Sequence, residues 1–79
     1  MHETSNDVAL SMLRERVRSA RDEVALRRQA PGRRDDLGRA HLELRRSLEA
    51  LVHELEQRRL PVPYALHAEL RLHQDIDPR

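Results

Sequence analysis

The chain has 79 residues, of which 38% are hydrophobic and 37% are charged, and Tyr64 is its only Phe, Trp or Tyr residue. A chain of this length forms one small domain and buries only roughly 60–65% of the surface that its unfolded form exposes, which excludes a large core. The sequence contains no cysteine, which excludes disulfides and thiolate metal sites. We therefore expect self-association or a partner chain to supply part of the stability.

The charges nearly balance, with fifteen basic and fourteen acidic residues and a formal charge of +1. This balance disfavours a domain that is held to nucleic acid mainly by phosphate contacts. All fifteen basic residues are arginine, a composition that indicates a GC-rich bacterial genome. No apolar run has the length of a signal peptide core or a membrane span, so we predict a cytoplasmic protein with no membrane partner.

Helical periodicity begins near the N-terminus, where the residues from Thr4 to Asp7 offer several N-cap candidates. The pattern predicts a first helix over about 7–30, which Pro31 and Gly32 end. Acidic Asp35 and Asp36 then favour a helix N-terminus, and the pattern predicts a second helix over about 35–60.

The stretch Pro61-Val62-Pro63 interrupts the second helix, and a proline in the first turn favours a third helix over about 63–74. Residues 1–79 are thus predicted to form a single helical domain with short tails. The predicted class is all-α.

Apolar residues in the first two helices recur at alternating steps of three and four, which is the pattern of a coiled-coil seam. If the helices are antiparallel, the residue numbers of each facing pair add to 64 or 65 over five layers, as one hairpin register requires. The pattern therefore predicts a long antiparallel helical hairpin. Its seam, which a dimer would extend, contains Leu10, Leu13, Val17, Ala20, Val24, His41, Leu44, Leu48, Leu51 and Leu55.

A two-helix hairpin covers one stripe of each helix and leaves other apolar positions uncovered. Helix 3, through Leu66, Leu70 and Leu72, would cover part of this surface, and a second copy would complete a four-helix bundle by dimerisation. The alternative is a docking groove for a different protein. The positions concerned are Met12, Leu26, Ala40, Leu42 and Val52.

Two surface segments are candidates for binding. Four arginines cluster at the hairpin tip: Arg27, Arg28, Arg33 and Arg34. Their guanidinium groups could bind an anion or a partner protein. The alternative is that they only stabilise the C-terminal end of the helix dipole and are neutralised by Asp35 and Asp36. The segment that contains Pro61, Pro63 and Tyr64 is a candidate partner-docking segment, because a stiff segment with a tyrosine suits an interface. Its alternative is a kinked connector whose tyrosine caps the bundle end.

The histidine spacing predicts no metal site, since neither His-x-x-x-His nor Glu-x-x-His occurs. We predict no catalytic or cofactor-binding site, because no nucleophile, base and orienting group come together and no glycine-rich phosphate loop is present. Arg34 and His41, with six residues between them, resemble the Arg-x(4 to 6)-His motif of HEPN-type ribonucleases, which are helical bundles that dimerise. An arginine-rich chain produces about two such matches by chance. The second match is Arg46 with His53.

We favour a small non-enzymatic protein–protein interaction module, such as an adaptor, an assembly factor or a regulatory subunit, whose partner is itself or a larger protein. The alternative is a transcription-related regulator that contacts nucleic acid or a sigma-like factor through the Arg-rich tip. The segment that contains Arg28 and Asp36 resembles the helical hairpins of anti-sigma factors that bind cyclic di-GMP. A HEPN-like ribonuclease is the third hypothesis.

Overall fold

The computed structural model describes residues 3–29 and 34–76, and the side-chain surroundings of residues 8–29 and 35–74. These residues form three α-helices without a strand among them: α1 (Glu3–Gln29), α2 (Arg34–Gln57) and α3 (Tyr64–Ile76). The all-helical class predicted from the sequence is therefore confirmed. The turn at Pro31 and Gly32 and the neighbouring Arg33 lie outside the described residues.

Helix α1 begins earlier than the sequence predicts, at Glu3 rather than near residue 7. Helix α2 ends at Gln57, before the predicted Leu60. The local cap that follows explains this earlier end.

The C-terminus of α2 closes in a Schellman motif. The N–H of Arg59 donates to the carbonyl of Glu56 at 3.0 Å, and the N–H of Leu60 donates to the carbonyl of Leu55 at 2.9 Å. This pairing requires a left-handed residue between the helix and the connector, and Arg59 has a φ of 58°. Two carbonyls that the helix end would leave unpaired are thereby satisfied.

Helices α1 and α2 pack as an antiparallel hairpin, as the sequence predicts. Ion pairs show the direction: Arg27 lies 4.0 Å from Asp36 near the turn, and Arg16 lies 2.9 Å from Glu43 farther along. The residue number on α2 therefore rises as the number on α1 falls. The buried apolar residues are Leu10, Val17, Ala20, Val24, Ala40, Leu44, Leu48, Leu51, Val52 and Leu55.

One layer near the turn differs from the predicted seam. Ala40 is buried in the cluster that contains Val24, whereas His41 is half-buried and contacts His73 of α3. At the flank of α2 the imidazole of His41 keeps a polar partner, which it would lose inside the core. The small, apolar Ala40 fills the core layer beside Val24 instead. Leu13, another predicted seam residue, is partly buried and packs against the core.

Helix α2 packs against both other helices. With 100° of rotation per residue, Ala40 and Ser47 lie on the flank of α2 that carries Glu43 and faces α1. His41 and Val52 lie on the other flank, which faces α3. Ser47 is fully buried, and its hydroxyl donates to the carbonyl of Leu44 at 2.9 Å. The buried stripe of α2 is wide because two helices cover it.

Helix α3 runs back along α2 and covers part of the hairpin, since its 13 residues span about 20 Å against about 40 Å for α1. Leu66 and Leu70 pack against the core. The guanidinium of Arg21 on α1 donates two hydrogen bonds, of 2.9 and 2.5 Å, to the carboxylate of Glu69. This contact links α1 to α3. Within the described ranges, no helix is long and apolar enough to cross a bilayer.

Candidate functional site

The side of α3 that faces away from the core forms a continuous exposed surface, which we call the α3 outer face. Tyr64 and Leu72 are 83% and 57% exposed, and Ala68 between them is also exposed. These three residues follow one another at steps of four, so they form a stripe along one side of the helix. Arg71 and His67 flank the stripe, and the five residues line a shallow depression of about 250 Å³.

The connector between α2 and α3 holds Tyr64 in place. Pro63 accepts the first hydrogen bond of α3 through its carbonyl, from the N–H of Leu66 at 3.0 Å, which makes Tyr64 the first helical residue. Pro61 and Pro63 fix two φ angles, and Val62 between them packs against the core. The connector therefore presents an exposed Tyr64 and does not fold its ring over the bundle end.

Apolar side chains on the outside of α1 are less continuous. Val8, Met12 and Leu26 are all more than half exposed, but the exposed Glu15 and Asp22 separate the first two from the third. This leaves Val8 and Met12, one turn apart, as a small patch near the start of α1.

The apolar residues that the hairpin alone would leave uncovered divide into two groups. Ala40 and Val52 are buried within the chain, with 5% and 7% of their surface exposed. Met12, Leu26 and Leu42 remain exposed. The chain thus covers part of the surface for which a partner was expected.

The arginine cluster at the hairpin tip is described only in part, since Arg33 lies outside the described residues and Arg34 has no described side-chain surroundings. Arg27 is paired with Glu23 at 2.6 Å and lies near Asp36. The depression beside it, of about 240 Å³, is lined by more acidic than basic residues. Such a surface disfavours an anion. Its lining residues are Glu23, Arg27, Asp36, Arg39, Ala40 and Glu43.

Two histidines from different helices meet beside the hairpin. The Nδ1 atoms of His41 and His73 are 3.4 Å apart, and their ring centres are 5.3 Å apart. Burial lowers the pKa of both imidazoles below the usual 6.5, and the cation of Arg28 on α1 lowers both further. The carboxylate of Glu69 opposes this by raising the pKa of His73. The net effect is a lowered pKa for both rings, which favours the neutral form in the folded chain.

The HEPN-like motif gains no geometric support from these positions. His41 turns toward α3 and contacts His73, and the surroundings of the Arg34 side chain are not among those described. In the second match, His53 and Arg46 are both exposed on α2. The structure therefore brings His41 to His73 of α3.

The sequence singled out Tyr64, but the prediction that Leu72 covers the hairpin is wrong, since Leu72 is 57% exposed on the α3 outer face. The signal for this face was present, because Ala68 and Leu72 follow Tyr64 at the spacing of one helix side. The contact between His41 and His73 carried no such signal, since it joins residues from two helices.

Comparison with protein-family models, with curated proteins and with solved structures finds no significant match. The functional argument for this chain therefore depends on the geometry of its surfaces.

Proposed function

We propose that this protein is a small non-enzymatic protein–protein interaction module whose docking surface is the α3 outer face. The observation that supports this most is the exposed stripe formed by Tyr64, Ala68 and Leu72. Tyrosine is among the residues that contribute most at protein interfaces, and a helix presents such a stripe to a groove at fixed spacing. The stiff connector reduces the entropy that docking costs.

The charges of this surface indicate the chemistry of the partner. Arg71 and His67 flank the stripe, and none of its five residues is acidic. A protein with an apolar groove and an acidic rim complements it. A second copy placed symmetrically on the same face would offer Arg71 no acidic side chain from these five residues, which disfavours this face as the dimer interface. We therefore assign the face to a different protein.

The test places a photo-crosslinking amino acid at Ala68, inside the face, and at Glu56, an exposed position on α2 outside it, in cells of the source organism. We expect crosslinking to one discrete protein from position 68 and not from position 56. The purified partner should then bind the unmodified chain, and Tyr64→Ala should weaken that binding at least tenfold, which is about 1.4 kcal/mol.

Exposed Leu26 provides the matched control, because Leu26→Ala removes an exposed apolar side chain from α1 that lies in neither the α3 outer face nor the patch at the start of α1. We expect the purified partner to bind this variant as tightly as the wild type. Equal crosslinking from both positions, or equal loss of affinity in Tyr64→Ala and Leu26→Ala, would contradict the assignment of the α3 outer face as the docking surface.

Homodimerisation, predicted from the sequence, belongs to the same proposal and uses a different surface. Val8 and Met12 form an exposed apolar patch on α1, away from the α3 outer face. A contact there between two copies leaves the docking surface accessible. We also propose that the module acts in the cytoplasm, as its sequence leads us to expect.

A further inference from the structure

We propose that His41 and His73 form a two-imidazole binding site for a divalent transition-metal ion of the zinc type, held between their Nδ1 atoms. The two rings come from different helices and meet at the flank of α2, where each is partly buried. Such a site joins α2 to α3. It goes beyond the proposed docking function and does not depend on it.

The distance between the two nitrogens is long for a hydrogen bond and also suits a shared ion. A nitrogen donor usually lies about 2.7–3.2 Å from its acceptor. Two imidazole nitrogens bound tetrahedrally to Zn²⁺ at about 2.0–2.1 Å lie about 3.3–3.4 Å from each other. The Nδ1 atoms of His41 and His73 are 3.4 Å apart.

The separation of the rings agrees with the same arrangement. When both nitrogens point at one tetrahedral ion, each ring centre lies about 1.1 Å behind its nitrogen, which places the centres about 5.2 Å apart. The observed distance between the ring centres is 5.3 Å.

The protonation state of the pair also suits a metal ion. A histidine must be neutral to bind a metal, and burial lowers the pKa of both imidazoles. The nearby charges act in opposite directions: Arg28 repels a cation, and Glu69, one helical turn before His73, attracts one. Imidazole ligands select Zn²⁺, Cu²⁺ and Ni²⁺ over Mg²⁺ or Ca²⁺.

The site has two protein ligands. Among the residues that the structure describes, no group of three or more His, Asp or Glu side chains is placed to hold an ion. Water must fill the other coordination positions, so we expect weaker binding than at a closed structural zinc site. The ion binds only when α2 and α3 are packed, so its binding would stabilise the packing of α3 against α2.

The test is a calorimetric titration of the full, untagged chain with zinc chloride, with imidazole nitrogens followed by nitrogen-15 NMR. We expect one ion per chain, with the Nδ1 signals of His41 and His73 both shifted. His41→Gln and His73→Gln should each weaken binding at least tenfold. Exposed His53 and His67 are the matched controls, and their replacement by Gln should leave the affinity unchanged.

The NMR measurement uses the wild-type chain, so it decides the matter even if a variant fails to fold. Absence of saturable binding up to about 1 mM zinc would overturn the proposal. So would a shift of only one of the two Nδ1 signals, or binding that both variants retain. Arg28→Gln gives a further check: the loss of its cation should tighten zinc binding.

Discussion

At the scale of single residues, the imidazoles of His41 and His73 couple folding to pH. Burial lowers the pKa of both rings below 6.5 in the folded chain, and Arg28 adds to the effect. The unfolded chain therefore binds more protons than the folded chain between the lowered pKa and 6.5. The stabilisation by the neutral pair is complete above 6.5 and is lost as the pH falls below it.

We therefore expect the free energy of unfolding of the metal-free protein, measured by urea titration with circular dichroism in EDTA, to fall between about pH 7.5 and about pH 5.5. The carboxylate of Glu69 does not disturb this window, because its pKa is lowered from 4.5 by the hydrogen bond from Arg21. The double variant His41→Gln/His73→Gln should show a shallower pH dependence. An equal slope in the double variant would show that the pair has no part in it.

The contact between His41 and His73 is a feature that the sequence pattern could not predict. The hairpin pattern predicts that His41 faces Val24 of α1, because the alternating steps of three and four residues include position 41 and not position 40. The hairpin pattern takes account of the spacing of residues and not of the polarity of the side chain. In the structure the polar ring turns to the flank and the methyl group of Ala40 enters the core, a choice that depends on where α3 lies.

At the scale of elements, the end of α2 carries a measurable strain. Arg59 adopts the left-handed conformation with a φ of 58°, which costs a residue with a Cβ about 1 kcal/mol or more. We expect Arg59→Gly to raise the free energy of unfolding by about 0.5–1 kcal/mol, because glycine adopts this conformation without steric penalty. The measurement is thermal unfolding followed by circular dichroism.

Exposed Arg46, in the interior of α2, supplies the control for that substitution. Glycine inside a helix destabilises it by about 1 kcal/mol, so Arg46→Gly should lower the melting temperature. A change of the same sign in both variants would contradict the role assigned to the left-handed residue.

The elements themselves were largely readable from the sequence, because Pro31-Gly32 and Pro61-Val62-Pro63 interrupt the helical pattern. The end of α2 was placed too late, since no glycine marks it and Arg59 occupies the position where a glycine is usual. The α3 outer face was recognised only at Tyr64. Its full extent depends on which side of α3 packs on α2, and the sequence of a short helix leaves that open.

At the scale of the whole molecule, the small core and the exposed patch at Val8 and Met12 favour association. We expect light scattering behind a sizing column to give the mass of a dimer and the melting temperature to rise with protein concentration. Met12→Glu should shift the chain toward a monomer, because two like charges would then meet at the contact. Leu72→Glu, a similar change on α3, should leave the mass unchanged. A cooperatively unfolding monomer at every concentration would contradict the dimer.

The position of α2 between its two neighbours has a kinetic consequence. Each helix packs on the one next to it along the chain, α1 on α2 and α2 on α3. Such sequence-local pairing gives a low contact order, and helical chains of this kind fold in microseconds to milliseconds. The contact between Arg21 and Glu69 spans 48 residues and closes a loop that the other contacts have already shortened. Both helix pairings therefore form by closing short loops, and the contact between Arg21 and Glu69 adds little loop-closure entropy once they are made.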